Sequence, residues 1–299
     1  MSRPADSAAA RGAFAAGLCY FLWGLVPLYW RQLVAVDATE LIAHRLVWSL
    51  VFLVALLPFV RGGFTGFAGA LGTRRTFSLN LLSSALLTAN WLVYVWAVNH
   101  DHILEASLGY FLVPLLNVAL GRFVLHEHLR RLQWLAVACA AAGVLWQLVQ
   151  LGRLPWIALA IAGTFGLYGL LRKQSPLGAL TGLAVETALL APCAVAFLLW
   201  RHHTGEGALG RLDAGTQLLV MSTGVVTAIP LLLFAYGARR VRLTTLGLLQ
   251  YLAPIVQFLL GLLVYHEAFT RDRLGSFALI WVALLLYTAD NLWTQRRKR

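Results

Sequence analysis

Acidic side chains are scarce in this sequence. Asp and Glu together number 12 in 299 residues, and all charged residues make up 12%, about half the fraction usual in soluble domains. That shortage excludes a fold whose outside is coated with charge. Cysteine is scarce too: Cys19, Cys139 and Cys193 stand singly inside apolar runs, with no CxxC pair. They read as small buried hydrophobes and imply no metal site. The pair in "HEHL" lacks the HExxH spacing of a zinc protease. No cluster of nucleophile, acid and metal ligand is visible at one depth, so no catalytic residue, metal or cofactor is assigned.

What the chain has is hydrophobic length. Apolar residues make up 60% of it, in runs of about 20, the number that crosses about 30 Å of hydrocarbon at 1.5 Å per residue. Ten spans are expected, near 12–34, 41–60, 78–99, 103–125, 132–151, 154–171, 178–200, 215–238, 243–265 and 274–295. The first is too long for a secretory signal and nine more follow it. The longest connections, 61–77 and 201–214, read as glycine-rich turns. The fold class is therefore all-α integral membrane.

A net charge of +12 would suggest nucleic acid in a soluble chain, but here it follows the topology, and no nucleic acid partner is expected. With the N-terminus in the cytoplasm, inner loops and tails hold Arg3, Arg11, Arg61, Arg74, Arg75, Arg130, Arg131, Arg172, Lys173, Arg239, Arg240, Arg242, Arg296, Arg297, Lys298 and Arg299. The outer loops hold only Arg31, Arg153, Arg201, Arg211, Arg271 and Arg273. The positive-inside rule places both termini, 1–11 and 296–299, in the cytoplasm.

The fourth and ninth spans repeat one pattern. "LGYFLVPLLNVALGRFVLHEHL" (108–129) matches "LLQYLAPIVQFLLGLLVYHEAF" (248–269) at Leu108/Leu248, Leu112/Leu252, Pro114/Pro254, Leu120/Leu260, Gly121/Gly261, Val124/Val264, His126/His266 and Glu127/Glu267. More weakly, "WGLVPLYWRQ" (23–32) lies on "FGLYGLLRKQ" (165–174). A repeat of five spans must insert its second copy upside down, giving halves 12–151 and 152–295 around a central cavity. Inverted repeats of this kind mark secondary transporters.

Each midspan proline lacks an N–H and frees the carbonyl of Tyr110 or Gln250; Pro27 does the same for Trp23. Freed backbone in hydrocarbon must face protein, water or ligand. The prolines can also serve helix packing alone. The His-Glu pairs fall at span ends on opposite faces, so they are not read as substrate ligands. Glu127 and Glu267, with Thr270, are expected to start the fifth and tenth spans, where the helix dipole favours negative charge.

The polar residues inside spans supply the candidate binding set: Trp23, Asn90, Tyr94, Tyr110, Asn117, Tyr168, Gln250 and Tyr251. Aromatic residues can instead anchor at the interface, and amides can join helices. Asn99, Thr227, Tyr236 and Gln257 are also polar and intramembrane. Arg45 is expected to snorkel to the outer interface, and is a lesser candidate for holding a carboxylate. Too few acidic residues lie near the midplane for a proton relay, so Glu186 receives no coupling role.

The stretches "YFLWGLVPLYWRQL", "AHRLVWSL", "NWLVYVWAVNHDHILEASLGYFLVPLLN", "HLRRLQWLAVA", "FGLYGLLRK" and "LTTLGLLQYLAPIVQFLLGLLVYHE" resemble the RarD-like permeases. These belong to the drug/metabolite transporter superfamily, built from EamA-type repeats. The similarity runs from about residue 12 to 293 of this sequence. It implies ten helices in two inverted repeats and export of small metabolites, as in the YddG-type amino-acid exporters. Val113, beside the first midspan proline, replaces the family's usual Asn or Gly and makes that half less polar.

The expected protein is a multi-pass secondary transporter of the bacterial inner (plasma) membrane, with lipids and a small, zwitterionic solute as partners. Amino acids lead among the solutes, and a drug carrier is the alternative. A phosphate-bearing solute would call for midplane Lys or Arg, and a membrane-embedded enzyme would call for a catalytic cluster.

Overall fold

In lipid, a chain rich in Leu, Ala and Val must satisfy its backbone groups within itself, and helix is the local solution. The computed structural model describes residues 4–151, 154–266 and 271–297, and no strand occurs among them. In chain order the helices are α1 (Pro4–Trp30), α2 (Ala38–Leu56), α3 (Gly63–Gly72), α4 (Arg74–Asn99), α5 (Ile103–Phe123), α6 (Arg131–Leu151), α7 (Trp156–Gln174), α8 (Ala179–His203), α9 (Ala214–Ala238), α10 (Leu243–Gln250), α11 (Leu252–Leu263) and α12 (Arg271–Arg297). Among the described residues, eight segments are long and apolar enough to cross a membrane: α1, α2, α4, α5, α6, α8, α9 and the α10–α11 pair. α7 carries Thr164, Tyr168, Arg172 and Lys173, and the apolar part of α12 is confined to Ala278–Asp290. The chain is an all-α membrane protein.

Helix fills each expected interval, but the boundaries move. The 61–77 connection is not only a turn, since it contains α3, which packs on α8. α8 runs on to His203, shortening the connection at 201–214. α1 begins at Pro4, so much of the expected N-terminal tail is helical. Asp37 and Asp213 cap α2 and α9 by accepting from the backbone N–H groups of Thr39 and Thr216. Hydrogen bonds from Thr216 hold the Asp213 carboxyl below its ordinary range. Arg3, Arg153, Glu267, Thr270, Lys298 and Arg299 lie outside the described residues.

The repeated His-Glu segment ends a helix in the same way twice. Val124 and Leu125 both donate to Leu120 O, and Val264 and Tyr265 both donate to Leu260 O. His126 and His266 then adopt left-handed backbone, at φ 52° and 51°, as residues closing a helix often do. Glu127, however, does not start α6. Its carboxylate accepts from Leu243 N at 2.7 Å and Thr244 N at 3.0 Å, capping α10. The left-handed turn carries the side chain across to α10, whose free N–H groups and positive dipole end attract it.

The layers cross between the two halves of the chain. α1 packs on α9 and α11, α5 packs on α7 and α10, α2 sits against α8 and α9, and α6 pairs with α12. Several of these contacts need glycine, among them α1 on α11 and α5 on α7. A Cβ on Gly24 would lie 2.4 Å from Val256 Cβ, and one on Gly166 would lie 2.7 Å from Leu116 Cδ2. At Gly24 the neighbouring helix lies closer than a larger residue permits, whereas at Gly166 the obstacle is the end of the Leu116 side chain.

Candidate functional site

The expected binding residues fall into three groups. In the first, Trp23 of α1 meets Phe165 of α7 edge to face at 5.7 Å, and Tyr168 stacks on Phe234 of α9 at 5.7 Å. Tyr20 closes this cluster against Trp23 and Phe234, with its hydroxyl buried and unpartnered. The Trp23 carbonyl, freed by Pro27, accepts from Gln257 Nε2 at 3.4 Å. Protein thus satisfies that group, as the scarcity of partners in hydrocarbon demands.

Tyr168 leads to a site that sequence reasoning missed. Its hydroxyl donates to Glu186 Oε2 at 3.4 Å, while Ser83 and Arg172 Nη1 donate to Oε1 at 2.7 and 3.0 Å. Arg172, expected in a cytoplasmic loop, is fully buried. α7 continues to Gln174, which keeps Arg172 one turn beyond Tyr168 on the face toward α8. The signal available was the spacing Tyr168 to Arg172 opposite the lone acid of α8.

The second group lies where α5 meets α10. Asn117 Nδ2 donates to Gln250 Oε1 at 3.4 Å, and Asn117 Oδ1 is buried without a partner. Tyr251 is fully buried and donates to the Phe111 carbonyl at 3.3 Å. The two midspan prolines act differently. α5 runs unbroken through Pro114, whereas the chain is interrupted at Tyr251, between α10 and α11 and one turn before Pro254. Tyr251 N turns to Leu248 O in a tighter bond of 3.3 Å. Phe111, in Tyr251's register position, has no hydroxyl to make the reverse bond.

In the third group Asn90 joins α4, α5 and α7. Its Nδ2 donates to Ile161 O at 2.9 Å and Thr164 Oγ1 at 3.0 Å, and its Oδ1 accepts from Tyr110 at 3.3 Å. Tyr94 and Tyr110 contact edge to face at 5.7 Å. Beside them, Arg45 does not snorkel outward. Its Nε donates to Thr227 Oγ1 at 2.9 Å, and the guanidinium lies 4.5 Å from the Trp91 ring and 5.0 Å from Trp30. Two indole faces and a hydroxyl offer inward partners that replace part of its hydration.

Leu46, Ser49, Trp91, Leu183, Glu186 and Thr227 line part of a small apolar cavity between the Arg45 group and the Arg172 group. It has room for about one water. None of the eight expected binding residues lines it.

Comparison with known proteins settles the family. Residues 10–149 match the EamA-like transporter family. "Protein RarD" of Streptomyces exfoliatus is 45% identical over 281 residues, covering 94% of this chain and 89% of the relative. The chain belongs to the RarD-like transporters. A second relative, "Uncharacterized transporter" of Vibrio cholerae, is 44% identical over 97% of this chain and 95% of its own length. "Chloramphenicol-sensitive protein RarD" of Pseudomonas aeruginosa is 32% identical over 93% of both chains. A crystal structure at 22% identity superposes with a TM-score of 0.70 over 93% of this chain and 97% of that one, a likeness of fold. For a RarD-like transporter, buried polar groups in the span interiors are candidates for the solute path.

Proposed function

We propose that this RarD-like protein is a secondary transporter of the bacterial inner membrane that exports small metabolites, amino acids first among them, by alternating access. The observation that carries the reading is contact between residues of the same register in the two halves. Trp23 touches Phe165, and Tyr251 bonds to Phe111. Contacts are also exchanged: Gly24 packs on Val256 and Gly166 on Leu116, which are two matched pairs in the repeated segments. This supports ten spans in two inverted five-helix repeats, 12–151 and 152–295, meeting on a pseudo-two-fold axis. Such a pair has two related conformations, each open to one side. Aromatic rings and the Asn117–Gln250 amides at that axis suit a zwitterionic solute.

A carrier of aromatic drugs is a second reading, favoured by the Trp23, Phe165, Tyr168 and Phe234 cluster. The purified protein, reconstituted in proteoliposomes, separates the two when screened for uptake of labelled amino acids and chloramphenicol. Uptake of at least one amino acid is expected. Movement of chloramphenicol with no amino acid moved would select the second reading.

A further inference from the structure

We propose that Arg45 is the receptor for a carboxylate on the transported solute. This rests on the reading of the chain as an exporter of small metabolites and narrows it to solutes that carry that group. Arg45 lies two turns into α2, roughly 10 Å along the helix from its start. A cation at such depth needs an anion or a polar cavity, because hydrocarbon does not hydrate it.

The buried acids of α2, α5 and α8 are already engaged. Glu40 accepts from Ala208 N at 2.6 Å and from Arg201 at 3.3 Å. Glu186 is paired with Arg172, and Glu105 accepts from Ile157 N at 2.9 Å. Among the described residues no carboxylate forms an ion pair with Arg45.

The way Arg45 is held leaves the right part of it unused. Thr227 takes Nε, and the indoles of Trp91 and Trp30 bear on the guanidinium. The two Nη groups have no protein acceptor among the described residues and form a planar fork that matches a carboxylate in two parallel bonds. Arg45 is only partly buried, and Tyr94 beside it is 39% exposed. The phenols of Tyr110 and Tyr94 lie within electrostatic reach of the guanidinium. Tyr110 already donates to Asn90, which leaves the Tyr94 hydroxyl as the donor for the solute.

The test uses purified full-length protein in a neutral detergent and three probes: L-phenylalanine, benzoate and phenethylamine. Tryptophan fluorescence and thermal unfolding are read together. Saturable effects of L-phenylalanine and benzoate, with none from phenethylamine, are expected. Arg45→Gln should weaken the L-phenylalanine effect at least tenfold, and Arg45→Lys, which keeps charge but loses the fork, should weaken it less. Binding of benzoate through Arg45 with no binding of L-phenylalanine would keep Arg45 as the receptor and remove amino acids as its solutes.

Three results would overturn the assignment. One is unchanged L-phenylalanine binding by folded Arg45→Gln protein. Another is phenethylamine binding as tight as L-phenylalanine, or no effect of any probe on the wild type. The third is stabilisation by added phosphatidylglycerol and not by the carboxylates, which would make a lipid phosphate the partner. Should Arg45→Gln fail to fold, the wild-type probe series decides alone.

Discussion

Arg172 Nη1 meets Glu186 Oε1 at 3.0 Å, with both side chains buried between α7 and α8. Removing one member leaves the other charged and uncompensated, a loss of about 3–5 kcal/mol for buried pairs. Glu186→Gln is therefore expected to lower the unfolding temperature in detergent substantially. The double change Arg172→Met, Glu186→Gln should recover most of it. The recovered double variant should transport with the wild-type pH dependence, since no proton role is assigned to Glu186. A stable double variant whose transport no longer responds to pH would give Glu186 that role.

Glu127 caps α10 from a distant part of the chain. Losing a cap of this kind costs about 1 kcal/mol. In Glu127→Ala, amide hydrogen exchange should quicken at residues 243–246 and stay unchanged at 131–134. Faster exchange at the start of α6 instead would restore the role expected from local sequence.

The two glycine contacts differ in how they can be relieved. Gly166→Ala meets Leu116 Cδ2 at 2.7 Å, an atom that Leu116→Ala deletes. Gly166→Ala should destabilise by about 1–3 kcal/mol, and adding Leu116→Ala should return part of that. Gly24→Ala meets Val256 Cβ itself at 2.4 Å, so Val256→Ala should bring no relief. Equal rescue at both sites in thermal unfolding would contradict the packing described.

Gln250 and Gln257 belong to one helical pair but serve different neighbours. Gln250 is buried and bonds Asn117, whereas Gln257 is exposed and bonds the Trp23 carbonyl. Gln250→Ala leaves both ends of the Asn117 amide unsatisfied and is expected to lower transport about tenfold, a loss of roughly 1–3 kcal/mol. Gln257→Ala should do less at equal membrane expression. Wild-type flux through folded Gln250→Ala protein would take Gln250 out of the solute path.

Eight of the ten expected spans were legible because hydrocarbon thickness imposes one length on a crossing, while α7 and α12 are not long and apolar enough among the described residues. The register pairs Trp23/Phe165 and Phe111/Tyr251 came from the duplicated segments. Helix phase was much less legible. In water, polar residues mark the outer face, but in lipid the outward and inward faces are both apolar. Nothing local therefore told that Arg45 turns toward Trp30 and Trp91, or that Arg172 lies under Tyr168. Glu127 misled for another reason. A carboxylate just before a helix has a near and a distant N-terminus to choose from, and only the left-handed turn at His126 decides between them.

The interruption at Tyr251 has no counterpart at Phe111, so the two repeated segments are built differently despite their shared register. α5 is a single rod that carries a push at one end to the other. α10 and α11 are two shorter rods with a joint between them, and the joint lies beside the Asn117–Gln250 contact. Under the proposed alternating access, rotation would be absorbed at that joint in one segment and transmitted whole along the other. Opening toward the two faces of the membrane would then follow different strokes, with different barriers for loading and release.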